Sequence, residues 1–503
     1  MIGRAGRSAA RTPYRGPPGA GIVELGRPTI GEVTRLSITI QAVGQAGRRG
    51  ATRRVPNAAA LLGAIDEWLP DATAGALRGH VPGARTPDGA IEIVLHPAAR
   101  PIRIEASDEG QAVVTAMTVP VGPGYHTFVA SLLDRMGDEL GITWAKLATP
   151  PPGAPGRVAA STAAGAPDRA GAPVGSDGAP ASIDPTGAFG SGDRHDAERG
   201  HLGWLRSALI AVREARRQGA TGLHLATPPG IRFTFEGAVA TVLGPRDDAW
   251  LERALADPRV AAEVWPWVAD AMDARYLLGR ALSMLWLEVR WRPPVGVEET
   301  WLADEILGTL RRAYPLEPAL AWPWPEWREL LELRGQPDPA TRALLDRWAG
   351  PLAGGPLAGG PTTDGAAPIG YYRQPVTIIH EGWALDIPGS FTGHRTAEEW
   401  TGGEAGRNIT LAGTETAEGG HPMTAERFLQ QVAAHLGRDA IEHDDGVVQG
   451  RARLASDPSS GVEVATVEGF SAVRGRGAAI RIEIDDPQDW KWALDTWRGL
   501  RPA

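Results

Sequence analysis

Histidines and acids are the side chains in this sequence whose types and spacing come closest to a reaction. His380-Glu381 begins like the zinc-protease motif H-E-x-x-H, but alanine stands at position 384, where the second histidine would be. Asp270 and Asp273 have a spacing suited to a paired-acid site. Acids are also favoured at the start of a helix by its dipole, and that is the role we expect for this pair.

The remaining histidines have no stronger context. His195, Asp196 and His201 could supply three metal ligands, but they lie at the edge of a low-complexity stretch, where a rigid site is not expected. His126 falls in the first turn of a predicted helix, where an ordinary capping-region role is typical. No phosphate-binding loop, dinucleotide-binding glycine motif or G-x-S-x-G motif occurs. We therefore predict no catalytic residue, no metal site and no cofactor.

The composition limits the class of protein. The chain has 503 residues, which is too long for one hydrophobic core and favours several domains. It contains no cysteine, which excludes disulfides and thiolate chemistry and fits a reducing bacterial cytoplasm. No apolar run is long enough to span a membrane. The formal net charge of −9 argues against a nucleic-acid-binding body.

The first 56 residues have the opposite charge, with ten arginines and two glutamates. Such a basic arm could contact phosphates or anionic lipids. Its proline and glycine content favours plain disorder instead. A nucleic-acid partner is therefore expected only through this tail, if at all.

Low-complexity stretches divide the rest of the chain. We predict a multidomain α+β protein in which two antiparallel-sheet α/β sandwiches flank a mainly α-helical, tryptophan-rich domain. The predicted parts are a disordered basic tail at 1–30, a sandwich at 31–148, a disordered linker at 149–200, the helical domain with a small β-hairpin at 201–349, a Gly/Pro linker at 350–369 and a sandwich at 370–503.

Hydrophobic periodicity and capping signals predict the elements inside these domains. The first sandwich reads as a strand at 34–43, a helix capped by Asn57, three strands and a helix from about Tyr125 to Leu140. The middle domain reads as a helix that ends at Gly219 and a hairpin that joins 222–226 to 231–243. Helices are then predicted at 248–256, 258–267, 270–290, 299–313, 326–333 and 339–349.

The last domain has the clearest pattern. Short strands at 376–380 and 383–387 precede a strand at 408–412, a helix capped by Thr424, three more strands and a closing helix that starts at Asp486-Pro487. This order, together with the opening Trp383-Ala-Leu-Asp-Ile-Pro388, resembles the PsbP-like α/β sandwich families. The resemblance covers about residues 371–500, and it implies a non-catalytic binding or assembly role.

Tryptophans supply the first candidate binding residues. Eleven of the eighteen tryptophans lie between residues 203 and 348. Trp322, Trp324 and Trp327 alternate with prolines and could form an exposed aromatic wall that stacks on sugars or peptides. The alternative is that these rings form part of a buried core, as is common in helical domains.

Two further groups combine aromatic rings with charge. Arg290 and Arg292 flank Trp291 and could stack on its ring. The polar insertion from Gly393 to Arg407 is a long loop on a scaffold, and such loops often carry function. Its candidate binding residues are His394, Arg395 and Trp400.

These observations favour a non-catalytic bacterial interaction protein with a protein partner, in an immunity-like, chaperone-like or assembly-accessory role. The alternative is a hydrolase or glycan-active enzyme that uses acids and tryptophans of the middle domain. An enzyme would need Asp270, Asp273, Glu288 or a histidine to meet in a pocket. A binding protein would need an exposed apolar patch.

Overall fold

The computed structural model describes residues 38–47, 57–73, 75–145, 184–220, 222–227, 231–232, 237–269, 271–335, 339–340, 342–343, 345, 368–404, 406–437, 439–457 and 464–503. These segments form an α+β multidomain protein with antiparallel sheets, which confirms the predicted fold class. The basic tail at 1–30 and most of both predicted linkers lie outside the described residues. Within these ranges, none of the helices has the length and hydropathy that a membrane span needs.

The first domain has the predicted strand–helix–three strands–helix order and adds one short strand. Its elements are β1 (Thr39–Ala46), α1 (Ala58–Ala72), β2 (Ile91–Ile93), β3 (Ile102–Ala106), β4 (Gln111–Met117), α2 (Pro123–Leu140) and β5 (Ile142–Trp144). The strands form one antiparallel sheet in the order β2-β3-β4-β1-β5. Asn57 caps α1 as predicted, because its Oδ1 accepts a hydrogen bond from the Ala60 N–H at 2.9 Å.

The stretch 184–200 is ordered, so the predicted disordered linker at 149–200 is wrong for this part. It contains α3 (Ala188–Ser191) and the beginning of α4 (Arg194–Arg217). Phe189 is buried and lies edge-on to Trp144, with the ring centroids 6.2 Å apart. An aromatic anchor, a capped helix start and hydrogen bonds between His126 and both Asp184 and Thr186 together dock a segment whose overall composition is typical of disorder.

The middle domain is mainly helical, as predicted. Its elements after α4 are β6 (Leu223–His224), β7 (Ile231–Arg232), β8 (Ala238–Thr241), β9 (Gly244–Asp247), α5 (Asp248–Ala256), α6 (Pro258–Ala261), α7 (Ala274–Leu287), α8 (Gly296–Ala313) and α9 (Trp324–Arg334). Asp273 caps α7, so the helix predicted from 270 begins four residues later.

The C-terminal domain contains the predicted strands and helices together with several additional strands. They are β10 (Val376–His380), β11 (Trp383–Ile387), β12 (Thr392–Arg395), β13 (Trp400–Glu404), β14 (Arg407–Glu415), β15 (Ala417–Glu418), β16 (His421–Pro422), α10 (Ala425–Leu436), β17 (Ile441–Asp444), β18 (Gln449–Asp457), β19 (Val464–Val473), β20 (Arg476–Ile484), α11 (Trp490–Arg498) and β21 (Arg501–Pro502). Seven strands form an antiparallel sheet in the order β12-β13-β14-β20-β19-β18-β17.

Two buried tryptophans hold this domain together. Trp383 in β11 donates its indole N–H to the Gly477 carbonyl of β20 at 3.1 Å. This hydrogen bond joins the sheet that contains β10 and β11 to the seven-stranded sheet. Trp497 in α11 lies against glycines of the large sheet, and a Cβ at Gly469 would stand 2.5 Å from its ring. The closing helix therefore packs closely on the sheet, because its large Trp497 ring lies opposite glycines that have no side chain.

The predicted hairpin of the middle domain is wrong. β6 pairs with β8 in parallel, and β7 pairs antiparallel with β10 of the C-terminal domain. A four-stranded sheet in the order β21-β11-β10-β7 is thus shared between two domains. Short strands carry little local information about their partners, because pairing depends on which edge the tertiary fold leaves open.

The middle domain also packs on the first domain. The backbone N–H of Trp267 donates to the Val121 carbonyl, and the backbone N–H of Gly124 donates to the Trp267 carbonyl. The Trp267 ring is buried, 4.3 Å from Tyr276 and 5.8 Å from Tyr125 between centroids. Residues of all three domains therefore contribute to one large hydrophobic core, and a second core is built mainly from α4, α5, β6 and β8.

Candidate interaction surface

The Trp-Pro-Trp-Pro run is buried. Trp322, Trp324 and Trp327 are only 4%, 5% and 0% exposed, and the rings of Trp324 and Trp327 stack 5.5 Å apart. Tyr314 lies edge-on to both Trp322 and Trp324. The prediction of an exposed aromatic wall is wrong, because the prolines start α9 instead of holding an open loop.

Arg290, Trp291 and Arg292 join the middle domain to the C-terminal domain. The guanidinium of Arg373 lies 3.6 Å from the Trp291 ring centroid, and that of Arg290 lies 3.6 Å from the Tyr372 centroid. The expectation that Arg290 and Arg292 stack on Trp291 is therefore wrong. The partners come from a segment about eighty residues away in sequence, which periodicity cannot identify.

Arg292 takes part in an ion pair at this domain boundary. Its Nη1 and Nη2 lie 2.8 and 2.9 Å from the two carboxylate oxygens of Glu299 in α8, and its Nε donates to the Ser390 carbonyl. Glu299 also accepts hydrogen bonds from the Val295 N–H and the Thr392 hydroxyl. Burial alone would raise the pKa of Glu299, but these hydrogen bonds and the Arg292 charge hold it below its ordinary value. The start of α8 is thereby fixed beside β12.

The predicted polar loop is a pair of strands. His394 and Arg395 lie in β12 and are exposed, and the Arg395 guanidinium donates to the Ile379 carbonyl. Trp400 lies in β13 but is buried, so its prediction as a binding residue is wrong. Its ring fills the space above Gly393, where a Cβ would stand 2.4 Å from the indole. The hairpin is ordered because this ring anchors it to the sheet.

Exposed apolar side chains lie next to this hairpin. Val295 and Val297 at the start of α8 are 63% and 84% exposed, and Trp301 one turn further is 45% exposed. Glu299 links the Val295 backbone to Thr392, so the start of α8 and the exposed strand form one region, in which Val297 lies on the side of the helix away from Glu299. We call it the junction surface, and it comprises Val295, Val297, Thr392, His394 and Arg395.

The valines and Glu299 were not predicted from the sequence, although a signal exists. The buried side of α8 carries Ala303, Ile306 and Leu310 at helical spacing. Val297 falls on the opposite side of the helix from these residues, where a polar side chain is usual. The sequence thus indicates this surface by an apolar residue on the side of the helix that is usually polar.

Comparison with known proteins assigns no family to the chain. No family model matches the sequence, and no curated protein matches it. A crystal structure from Bacteroides thetaiotaomicron VPI-5482 aligns with 25% of this chain at 9% sequence identity and a TM-score of 0.22. The alignment covers 48% of that protein, about half its length. The resemblance to PsbP-like families therefore stays a prediction.

The acids considered for an enzyme have structural roles. Asp273 accepts the backbone N–H groups of Arg275 and Tyr276 as the cap of α7. Glu288 is held by both guanidinium nitrogens of Arg78 at 2.8 and 2.9 Å. Asp270 lies outside the described residues. Asp273 thus serves as a helix cap, and the charge of Glu288 is balanced by Arg78.

His380 belongs to a strand, as its neighbours in sequence suggest. It is buried in β10, and Glu381 follows in the hairpin turn with a φ of +46°. A zinc-protease motif requires a helix that turns its ligands to one side. The local backbone therefore has the wrong geometry for that motif.

His126 belongs to a buried polar network instead of capping a helix. Its Nδ1 lies 2.9 Å from the Thr118 hydroxyl, and its Nε2 lies 2.9 Å from the Thr186 hydroxyl and 3.3 Å from Asp184. Burial opposes ionisation of Asp184, but His126 and the N–H groups of Phe189 and Thr186 lower its pKa to about 2. The network ties the segment before α4 onto the first domain.

His201 in α4 is buried beside this network. Its burial predicts that the free energy of unfolding falls at acid pH. Burial, with the nearby His126, lowers the pKa of His201 to about 3. Because the folded value lies below the unfolded one, the unfolded chain takes up the proton first as pH falls. We expect this group to remove about 2 kcal/mol of unfolding free energy between pH 7 and pH 5.

Urea unfolding at both pH values, for wild type and His201→Gln, measures this contribution. The variant should lose about 2 kcal/mol less than wild type over the same interval. Burial also lowers the pKa of His96, but that histidine is present in both proteins and cancels in the comparison. Equal losses in the two proteins would show that His201 does not carry the effect.

Proposed function

We propose that the protein is a non-catalytic bacterial interaction protein of the cytoplasm, which binds another protein through the junction surface. The observation that carries the proposal is the exposure of Val295 and Val297 at the start of α8, whose first turn adjoins the exposed strand β12. Apolar side chains in such a position are typical of a surface that a partner covers. An immunity-like, chaperone-like or assembly-accessory role fits this kind of surface.

The geometry of the junction surface supports stable binding. Covering one fully exposed valine contributes about 1.5 kcal/mol or more. Arg292 and Glu299 already hold the start of α8 against β12, so little chain entropy is lost there when a partner binds.

The alternative of a hydrolase or glycan-active enzyme has less support. It relied on acids and tryptophans of the middle domain. Asp273 and Glu288 serve as a helix cap and an ion-pair partner, and the Trp322–Trp327 rings lie in the core. Among the described residues, these side chains do not meet around a substrate-sized site.

The proposal predicts that Val295→Ser/Val297→Ser weakens partner binding about 10- to 100-fold while the fold is unchanged. A photo-crosslinking amino acid at position 297 first identifies the partner in lysate of the source organism. The purified partner is then titrated against wild type and the double variant. Because both valines are exposed, circular dichroism should show no loss of structure.

Val447 supplies the matched control, because it is 68% exposed and lies in the β17–β18 turn. Val447→Ser should bind the partner as wild type does, and a crosslinker at 447 should not capture it. Equal capture from both positions, or an affinity of the double variant within twofold of wild type, would contradict the proposal.

A further inference from the structure

A short docked segment precedes α4. It comprises residues 184–192, which include α3 and lie against α2 of the first domain, and we call it the strap. Its one large apolar side chain is Phe189, which is 3% exposed. Gly187 and Gly192 flank α3 with φ values of +80° and +67°. A segment that so few side chains hold belongs to the part of a fold that can open locally before the whole chain unfolds.

Asp184 is the polar anchor of the strap. Its side chain is fully buried and accepts hydrogen bonds from the backbone N–H groups of Thr186 at 2.8 Å and Phe189 at 2.7 Å. The Thr186 hydroxyl donates to Asp184 at 2.9 Å and lies 2.9 Å from Nε2 of His126. The strap therefore covers the Nε2 edge of His126, and one carboxylate organises this contact.

Two buried imidazole rings lie at this contact. His126 of α2 and His201 of α4 are both 0% exposed, and their ring centroids are 5.3 Å apart. Thr186 of the strap packs on α4 at Gly200, where an added Cβ would stand 2.6 Å from the Thr186 methyl group. The strap thus touches α4 at the residue before His201 as well as His126 itself.

The charges around the two rings cannot balance two protons. The charged or titratable groups that act on His201 are His126 from α2 and Asp184 from the strap, whereas Trp265 presents an uncharged ring at 5.6 Å. Asp184 can balance one charged imidazole, but two of them at 5.3 Å in a buried site repel each other strongly. Protonation of both rings therefore requires water, which enters when the strap leaves.

The direction of the pH effect follows from the shifted groups. Burial and His126 lower the pKa of His201 to about 3, so the stability that His201 contributes is complete above its ordinary value and is lost as pH falls below it. The pKa of Asp184 is lowered to about 2, so its contribution stays complete above the ordinary carboxyl range. Between pH 7 and pH 5 the histidine effect acts while Asp184 stays charged.

We propose that the strap is an acid-released clamp, in which protonation of the His126–His201 pair frees residues 184–192 from the first domain while the rest of the chain stays folded. Release separates Phe189 from Trp144 of β5, whose ring it meets edge-on, and uncovers the apolar site that Phe189 fills. The clamp is separate from the junction surface, so the proposal goes beyond the proposed function and can fail without it.

The absence of cysteine from the chain allows a direct test. Ala188→Cys places a single thiol in the strap, and Ala303→Cys places one in α8, at positions that are both 2% exposed. The rate of reaction with a maleimide, divided by the rate of a free cysteine peptide at the same pH, measures how often each position opens.

The thiol at 188 should become about 25-fold more reactive between pH 7 and pH 5, because His201 regains an ordinary pKa in the released form. The thiol at 303 opens only with the whole chain, so it should stay about 100-fold or more below the thiol at 188 at both pH values. Circular dichroism should be the same at both.

Two further substitutions, each combined with Ala188→Cys, separate the trigger from the anchor. His201→Gln should reduce the rise in reactivity to about threefold or less, because the proton uptake is removed. Asp184→Asn should raise the reactivity at pH 7 about tenfold, because one charged acceptor of the strap is lost. Asp193→Asn is the matched control at the exposed cap of α4, and it should change nothing, since Asn caps a helix as well as Asp does.

Three results would overturn the proposal. Equal reactivity at 188 and 303 would show that the strap opens only when the whole chain unfolds. An undiminished rise in His201→Gln would remove the histidine trigger. Equal reactivity of the Asp184→Asn and Asp193→Asn proteins would remove the anchor, and this comparison does not depend on the folding of the His201 variant. Crosslinking at position 297 tests the proposed function independently of all three.

Discussion

Replacing Trp327 with alanine is expected to lower the free energy of unfolding by about 3–5 kcal/mol. The ring is fully buried and stacks on Trp324, so its removal takes away apolar contacts and leaves a cavity that the neighbouring rings cannot fill. Urea unfolding followed by tryptophan fluorescence and circular dichroism measures the loss.

Trp301→Ala is the matched control, because Trp301 is 45% exposed on the neighbouring helix. Its ring contacts the Arg78 guanidinium at 5.2 Å, so we expect a loss of about 1 kcal/mol or less. A larger loss for Trp301→Ala than for Trp327→Ala would contradict the burial described above. A variant that removes Trp322, Trp324 and Trp327 together should unfold and would reveal nothing about binding.

Replacing Glu305 with glutamine is expected to destabilise the chain by about 3 kcal/mol or more. Glu305 lies between the buried guanidinium of Arg280 at 2.8 Å and the partly buried guanidinium of Arg78 at 2.9 Å. Arg78 keeps a second acid in Glu288, but the substitution leaves Arg280 without a carboxylate. Arg280 also donates to the Leu95 carbonyl of the first domain, so the loss should loosen the contact between domains.

The double variant Arg280→Met/Glu305→Leu tests the electrostatic cause. It removes both members of one ion pair and leaves Arg78 bound to Glu288, so it should recover part of the stability that Glu305→Gln loses. Thermal unfolding of the three proteins at one pH measures the difference. If the double variant is the least stable, packing around these side chains rather than an unpaired charge explains the effect.

Local sequence patterns predicted the elements well, because the forces that start and stop them act over a few residues. Asn57, Asp273 and Thr424 accept the first free N–H groups of their helices, which needs only a suitable side chain at the right position. The strand β10 has the alternating burial of a half-buried strand, and four of the five residues of β11 are buried. The α+β class then follows from the order of these elements.

The candidate site was only partly predictable. His394 and Arg395 were identified as a polar segment, and they lie on the junction surface. Val295 and Val297 were not, because their local signal is limited to Val297, which is out of phase with the buried side of α8. Their place in the proposed surface depends on Glu299 and Thr392, which bring a helix and a strand about a hundred residues apart into contact.

The tertiary structure decided which side chains and strand edges are buried. The composition of the chain by itself determined that it has no cysteine chemistry, and local patterns determined the approximate positions of most helices and of the longer strands. Surfaces distant in sequence decided three features: the burial of Trp322, Trp324 and Trp327, the docking of residues 184–200, and the pairing of β7 with β10. The physical reason is that caps and periodicity are satisfied by near neighbours, whereas removing a ring or a strand edge from water requires partners that only the folded chain brings together.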